Sequence, residues 1–353
     1  MLVTSHRFVA ILIRPRTFRG LLTLNRVLSG VTTAALAASR RGSVDLLYGS
    51  MSPHEDLVVL VDTMSVGELS FTQKAGAVGE FIEALAADRL LDLLAEAGFI
   101  PEHYEHDSSE EKVYAKAMDW LVAAALGRLG YDVSVLDERA NAADVLARCL
   151  NGSENTVALD AKAFRLSRTA LNPKDYKIEA LSTWRKDEKY AALVGPIIGF
   201  PEGQSRLYSE AVKFDVTLLT FSHLRFLLEH GVAGCEPMER IWQATTESRE
   251  AGIDVSEATA YWQLVDTEVC QVASASLDDW KKARRTYLDA LLRVADQQIA
   301  YFNAEREKLE DLPKEALLGI AVGALRFDAK IRQISGKRDK AMELLAELDE
   351  AES

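Results

Sequence analysis

The 353-residue sequence has little proline (8 residues) and only three cysteines. It has no uninterrupted apolar run of the roughly 18 residues that a membrane-spanning helix needs. The missing run excludes a helical membrane span. The low proline, with 48% hydrophobic and 27% charged residues, excludes a disordered or fibrous chain. Cys149, Cys235 and Cys270 are odd in number and far apart, so they suggest neither a disulfide framework nor a zinc knuckle. They are expected to be small buried hydrophobes in a reducing cytoplasm. Positive charge is also short: 41 Lys+Arg face 54 Asp+Glu, a formal net charge of −13. Taken whole, that balance argues against a phosphate-rich partner.

The charge is unevenly distributed. Residues 1–41 contain seven Arg and no Asp, Glu or Lys, leaving 34 basic against 54 acidic residues in the remainder. An acid-free, Arg-rich start resembles an organellar transit peptide. A basic arm, or a translation start at Met51, are plainer readings of this 1–50 extension. Between 160 and 189, eight basic residues outnumber five acidic ones.

What is present reads as three regions after the extension. Residues 51–108 carry helical spacing, with Ala77–Ala97 as one helix ending before Gly98. Residues 109–232 are α/β. They hold a long amphipathic helix over about Glu110–Leu129 after Ser109, and strands at Tyr131–Leu136, Val145–Leu150 and Thr156–Phe164. A helix follows from Asn172-Pro173 to about Lys189. Strands at Leu193–Phe200 and Asp215–Phe221 flank a helix at Ser205–Lys213, and Ser222 caps a last helix. Residues 233–353 are helical, with patterns at Leu277–Leu309 and Lys314–Glu347 and a break at Gly336.

Chemistry concentrates in Asn141–Thr169. Asn151-Gly152 is a hairpin turn signal. A hairpin centred on Gly152 places Asp144 opposite Asp160, with Cβ atoms about 4.5–5.5 Å apart. Strand alternation puts Asp160 and Lys162 on one face. Two close carboxylates without His or Cys suit Mg²⁺, a hard cation that lowers the pKa of its bound water. Lys162 beside them can orient that water or offset developing charge. The pattern outlines a phosphodiester hydrolysis site. Arg165, Ser167, Arg168, Thr169, Asn172 and Lys174 follow directly, supplying cations and short donors suited to DNA contact.

The run DAKAFRLSRTALNPKDYKIEALSTWR (160–185), with EEKVYAKAMDWL (110–121) and FSHLRFLL (221–228) around it, resembles the HindIII family of type II restriction endonucleases. The resemblance covers about 108–229. It implies a PD-(D/E)xK core, a mixed sheet flanked by helices, between helical N- and C-terminal regions. It implies Mg²⁺-dependent cleavage of both strands of a short palindromic DNA site by a cytoplasmic homodimer paired with a cognate DNA methyltransferase. AAGCTT is the first guess for that site. Asp144, Asp160 and Lys162 match the family's metal-binding acids and catalytic lysine. Ala143 stands where the motif usually has proline. Many nucleases of this fold use a helical Glu near the metal, and Glu111, ahead of Glu110, is the candidate here. A repair or recombination nuclease of the same fold, or an inactive helical scaffold, are the competing readings.

Other features carry less. His103 and His106 lie in a polar loop. His223 and His230 fit a cap and a helix C-terminus. Gly336-Lys337 lacks the upstream glycine and strand of a phosphate-binding loop. Trp184, Trp242, Trp262 and Trp280 are expected to anchor the core.

Overall fold

The computed structural model describes residues 51–136, 142–152, 154–168, 172–203, 205–312 and 327–350. The basic 1–50 extension and Thr169 lie outside them.

Three helices lead in: α1 (Pro53–Ser65), α2 (Phe71–Glu83) and α3 (Ala87–Glu96). Ser52 and Glu55 form a reciprocal cap at α1, as Ser70 and Gln73 do at α2. The single helix expected over Ala77–Ala97 is instead two. Leu85 N–H bonds back to Ile82 O, and Ala86 adopts an extended conformation before α3 starts. Helix α4 (Ser109–Arg128) is capped by Ser108, one residue earlier than expected.

A five-stranded sheet follows in chain order: β1 (Tyr131–Val135), β2 (Val145–Cys149), β3 (Thr156–Ala161), β4 (Tyr190–Gly195) and β5 (Val216–Thr220). The first two ladders are antiparallel and the last two parallel. Val145 pairs with Leu159, so the same register carried one step further sets Asp144 against Asp160. Gly152 sits in the connecting loop at φ 77°, a conformation open to glycine at no steric cost. Strand β3 ends at Ala161, but Lys162 N–H still donates to Val194 O at 2.8 Å, and Phe164 bridges to Phe99. Strand β4 ends at Gly195, earlier than expected, because Pro196 offers no N–H and the chain turns through a 3₁₀ segment at Ile197–Gly199.

Between β3 and β4 the long helix expected from Asn172-Pro173 to Lys189 is broken. Lys177 takes a left-handed conformation (φ 50°), separating a 3₁₀ turn at Pro173–Asp175 from α5 (Ile178–Trp184). Helix α6 (Arg206–Lys213) joins β4 to β5, and α7 (Phe221–Glu229) follows, capped by Thr220 rather than Ser222. Thr220 Oγ1 accepts the His223 N–H at 3.3 Å. Then come α8 (Glu236–Glu250), α9 (Ala258–Val272), α10 (Leu277–Glu310) and α11 (Phe327–Glu350). Helix α11 runs through Gly336, where a break was expected. A helical glycine costs only about 1 kcal/mol relative to alanine.

Helix α4 packs along β1, β2 and β3, backed by α1, α2, α3 and α7, while α5 and α8 pack on the later strands. The main core runs from Leu57 in α1 through the sheet to Trp280 in α10, and Trp242 is buried in it. A second cluster joins α10 and α11 through Leu288, Leu291, Phe302 and Ile334, and it reaches Phe99 and Leu166 beside the end of β3.

One cysteine expectation is overturned. Cys149, ending β2, is disulfide-bonded to Cys235, the cap of α8, with Cα atoms 5.5 Å apart. The two are 86 residues apart in sequence but adjacent in the fold. Cys235 O accepts the Asn155 amide at 2.6 Å, and Tyr131 Oη accepts Trp242 Nε1–H at 3.0 Å in the same layer. Cys270 is a buried free thiol, as expected. Among the described residues no helix is long and apolar enough to cross a membrane.

Candidate metal and catalytic centre

Helix α4 was expected to be amphipathic. It is buried on nearly all sides, and its buried residues include Lys116 and Asp119 alongside Val113, Ala117, Met118 and Leu121. A charge is sequestered this way only if it is paired. Lys116 Nζ lies 3.1 Å from Asp119 and 3.6 Å from Asp144, and donates to Leu136 O at 2.7 Å. Asp119 Oδ1 accepts the Ala161 N–H at 3.4 Å, which sets the helix against the end of β3.

Asp119, Asp144 and Asp160 each present a carboxylate oxygen within 4.8 Å of the others. Lys162 Nζ contacts Asp160 directly. The cluster sits at the C-terminal end of β3, beyond which the parallel strands open. That is where open α/β sheets place their ligands.

The electrostatics fit a cation site. Burial, reinforced by the neighbouring Asp144, pushes Asp119 up to about 8, with Lys116 pulling the other way. Burial also raises Asp160, opposed chiefly by Lys162 and aided by Asp144. Three carboxylates this close, two of them buried, resist ionising together unless a cation arrives. All three offer hard oxygens, the donor set that Mg²⁺ favours.

Glu111 is placed elsewhere. It lies eight residues before Asp119 on α4, about 12 Å along the helix axis. Its carboxylate accepts the Asp107 N–H at 2.5 Å and Arg165 Nε–H at 3.0 Å, with His106 Nδ1 at 3.2 Å. Burial works against its charge, but the His106, Asp107 and Arg165 contacts outweigh it and hold the carboxyl below its usual range. Glu111 groups with His106 and Asp107 at the surface, and the acid that α4 brings to Asp144 and Asp160 is Asp119. Within α4 the signal for Asp119 was a charged pair spaced three apart inside an apolar stretch.

The residues expected to face DNA divide into two sets. Ser167 donates from both N–H and Oγ to Glu102 at 2.7 Å. Arg165 is held by Glu111, and Arg168 pairs with Asp175 while lying over the Phe164 ring. Asn172 and Lys174 are exposed, with Asn172 capping the 3₁₀ turn through the Lys174 N–H at 3.1 Å. Glu102 is tied in turn to α10, because its N–H donates to Gln298 Oε1 at 2.8 Å.

A mixed five-stranded sheet flanked by helices, with three carboxylates and a lysine at one end, defines an α/β protein with a candidate metal-dependent catalytic centre. Comparison with known sequences is more particular. A family model described as HindIII restriction endonuclease matches residues 56–338, and the chain belongs to that family. It is 36% identical over 175 residues to the type II restriction enzyme HindIII of Haemophilus influenzae. The aligned stretch is half of this chain and 57% of that relative.

Proposed function

We propose that the protein is a type II restriction endonuclease that hydrolyses phosphodiester bonds in both strands of a short palindromic double-stranded DNA site. The observation that carries this reading is the convergence of Asp119, Asp144, Asp160 and Lys162 at the end of β3 in a chain of the HindIII family. We read residues 109–232 as the catalytic PD-(D/E)xK core between helical regions at 51–108 and 233–353. Asp119, Asp144 and Asp160 would hold Mg²⁺, which supplies an activated water and charge stabilisation at phosphorus. Asp119 takes the part that Glu111 was expected to play.

The chain's own residues do the positioning. Lys162, fixed by its contact with Asp160, directs a proton donor at the attacking water and the phosphate oxygen. Asn172 and Lys174 present exposed donors to the DNA beyond β3. Arg165, Ser167 and Arg168 shape that surface through Glu111, Glu102 and Asp175. A homodimer would match the two-fold symmetry of a palindrome. A cognate methyltransferase would protect the host's own sites in the cytoplasm.

Incubating the purified protein with plasmid DNA and Mg²⁺, then sequencing the ends, tests the reading. Discrete bands with uniform ends are expected, and Asp160→Asn and Lys162→Ala should abolish them. Near wild-type cutting by either variant would overturn the site assignment.

A further inference from the structure

Lys116 is a charged residue that the catalytic reading leaves unassigned. It is 7% exposed, and its ammonium meets acceptors from three separate segments. These are Leu136 O just after β1, Asp119 on α4 and Asp144 just before β2. The ammonium donates a hydrogen bond to Leu136 O and lies at ion-pair distance from both carboxylates, so its charge is directed inward at the two acids. Leu136 N–H also donates to Asp144 O at 2.8 Å, which ties the end of β1 to the start of β2.

The two lysines divide the three acids between them. Lys162 serves Asp160, and Lys116 serves Asp119 and Asp144. With all five groups ionised the site would carry one net negative charge, a state that the closeness of the three carboxylates opposes until a cation arrives. A divalent ion turns this into one net positive charge, the complement of a single phosphodiester. Without Lys116, the loaded site would be neutral and the empty one doubly negative.

We propose that Lys116 is a positioning residue that holds Asp119 and Asp144 at metal-binding separation before the ion arrives and moderates the site's affinity for divalent cations. The inference rests on the reading of Asp119, Asp144 and Asp160 as the metal site. The ion and Lys116 compete for the same two carboxylates, so metal binding is an exchange in which the ammonium gives up part of its hold. Removing it should tighten the metal while loosening the empty site.

Calorimetric titration of the full-length protein with Ca²⁺, without DNA, tests this alongside thermal melting in EDTA. Lys116→Met is expected to bind Ca²⁺ at least about tenfold more tightly than wild type, because a cation some 3–4 Å from two ligand carboxylates has been removed. It should also melt lower in EDTA and regain the difference with Ca²⁺. Lys116→Arg, which keeps the charge, should stay near wild type in both. Should Lys116→Met fail to fold, the double variant Lys116→Met/Asp119→Asn is expected to fold, since it removes the uncompensated carboxylate. Equal or weaker Ca²⁺ affinity in Lys116→Met than in wild type, or a double variant as unfolded as the single one, would overturn the proposal. Plasmid cleavage by the wild type reads the nuclease assignment separately, so failure of one is distinguishable from failure of the other.

Discussion

The Asp119 carboxylate accepts the backbone N–H of Ala161, the residue between Asp160 and Lys162. Helix α4 is therefore registered on the strand position that separates the central acid from the lysine. A helix shift of one residue would carry Asp119 off this contact and away from Asp144.

Asp119→Asn should reduce Mg²⁺-dependent plasmid cleavage by about 10²-fold, the usual scale for losing one electrostatic contact made in the transition state. The same substitution should raise the melting temperature in EDTA, because it removes a carboxyl that burial and Asp144 already disfavour as an anion. Glu111→Gln, in contrast, should cost far less cleavage than Asp119→Asn, because Glu111 groups with His106 and Asp107 about 12 Å along α4 from Asp119. If Glu111→Gln abolished cutting while Asp119→Asn did not, the assignment of the helical acid would be reversed.

Acid sensitivity should begin near the buried His54. This side chain is 2% exposed, with Nε2 2.9 Å from Tyr114 Oη, and burial lowers its pKa to about 4 against an ordinary 6.5. The folded state thus prefers the neutral ring. The associated stability is complete above about pH 6.5 and is lost as pH falls toward 4. At one pKa unit per 1.36 kcal/mol, the loss is on the order of 3 kcal/mol. Urea unfolding of wild type and His54→Gln between pH 7 and pH 4 measures it. The wild-type midpoint should fall more steeply with acid, and parallel pH profiles would refute the assignment.

The Cys149–Cys235 bond makes a countable prediction. Unfolded without reductant, the oxidised protein should show one titratable thiol, Cys270, and three after reduction. Cys235→Ser should cost about 2–5 kcal/mol by equilibrium unfolding, the usual scale for losing a native disulfide. Three thiols without reductant would show the pair unbonded.

Gly98 is a further test of how the end of β3 is held. At φ 93° a Cβ would sit 2.9 Å from Phe221 and Pro196, and Gly98 O accepts the Phe164 N–H at 2.9 Å. Gly98→Ala should destabilise by about 1–3 kcal/mol. Melting temperature checks this, and an unchanged midpoint would mean that the backbone relaxes at no cost.

The sheet was legible because its strands are short, apolar and separated by turn residues, and the Asn151-Gly152 turn fixed the register that sets Asp144 opposite Asp160. Asp119 and Lys116 escaped notice because α4 is buried on nearly every side, so the helix has no polar face against which an inward charge would stand out. The Cys149–Cys235 pair depends on α8 returning to the end of β2, and no local signal encodes that return. The basic run after β3 did suggest a charged surface. The Arg168–Asp175 pair is local, but Arg165 and Ser167 meet Glu111 and Glu102 only when the segment before and at the start of α4 folds against the end of β3.

The order of strands in the sheet repeats their order along the chain, so each ladder joins consecutive strands. Among the described residues no strand is inserted between two that precede it in the chain, so the sheet can extend outward from the hairpin at one edge. All the groups around the metal position, from Lys116 to Lys162, together with every strand through Thr220, precede α8–α11. During synthesis the catalytic end of the sheet can therefore assemble first, and the C-terminal helices arrive afterwards to fasten it, through Cys235 on one side and Gln298 on the other.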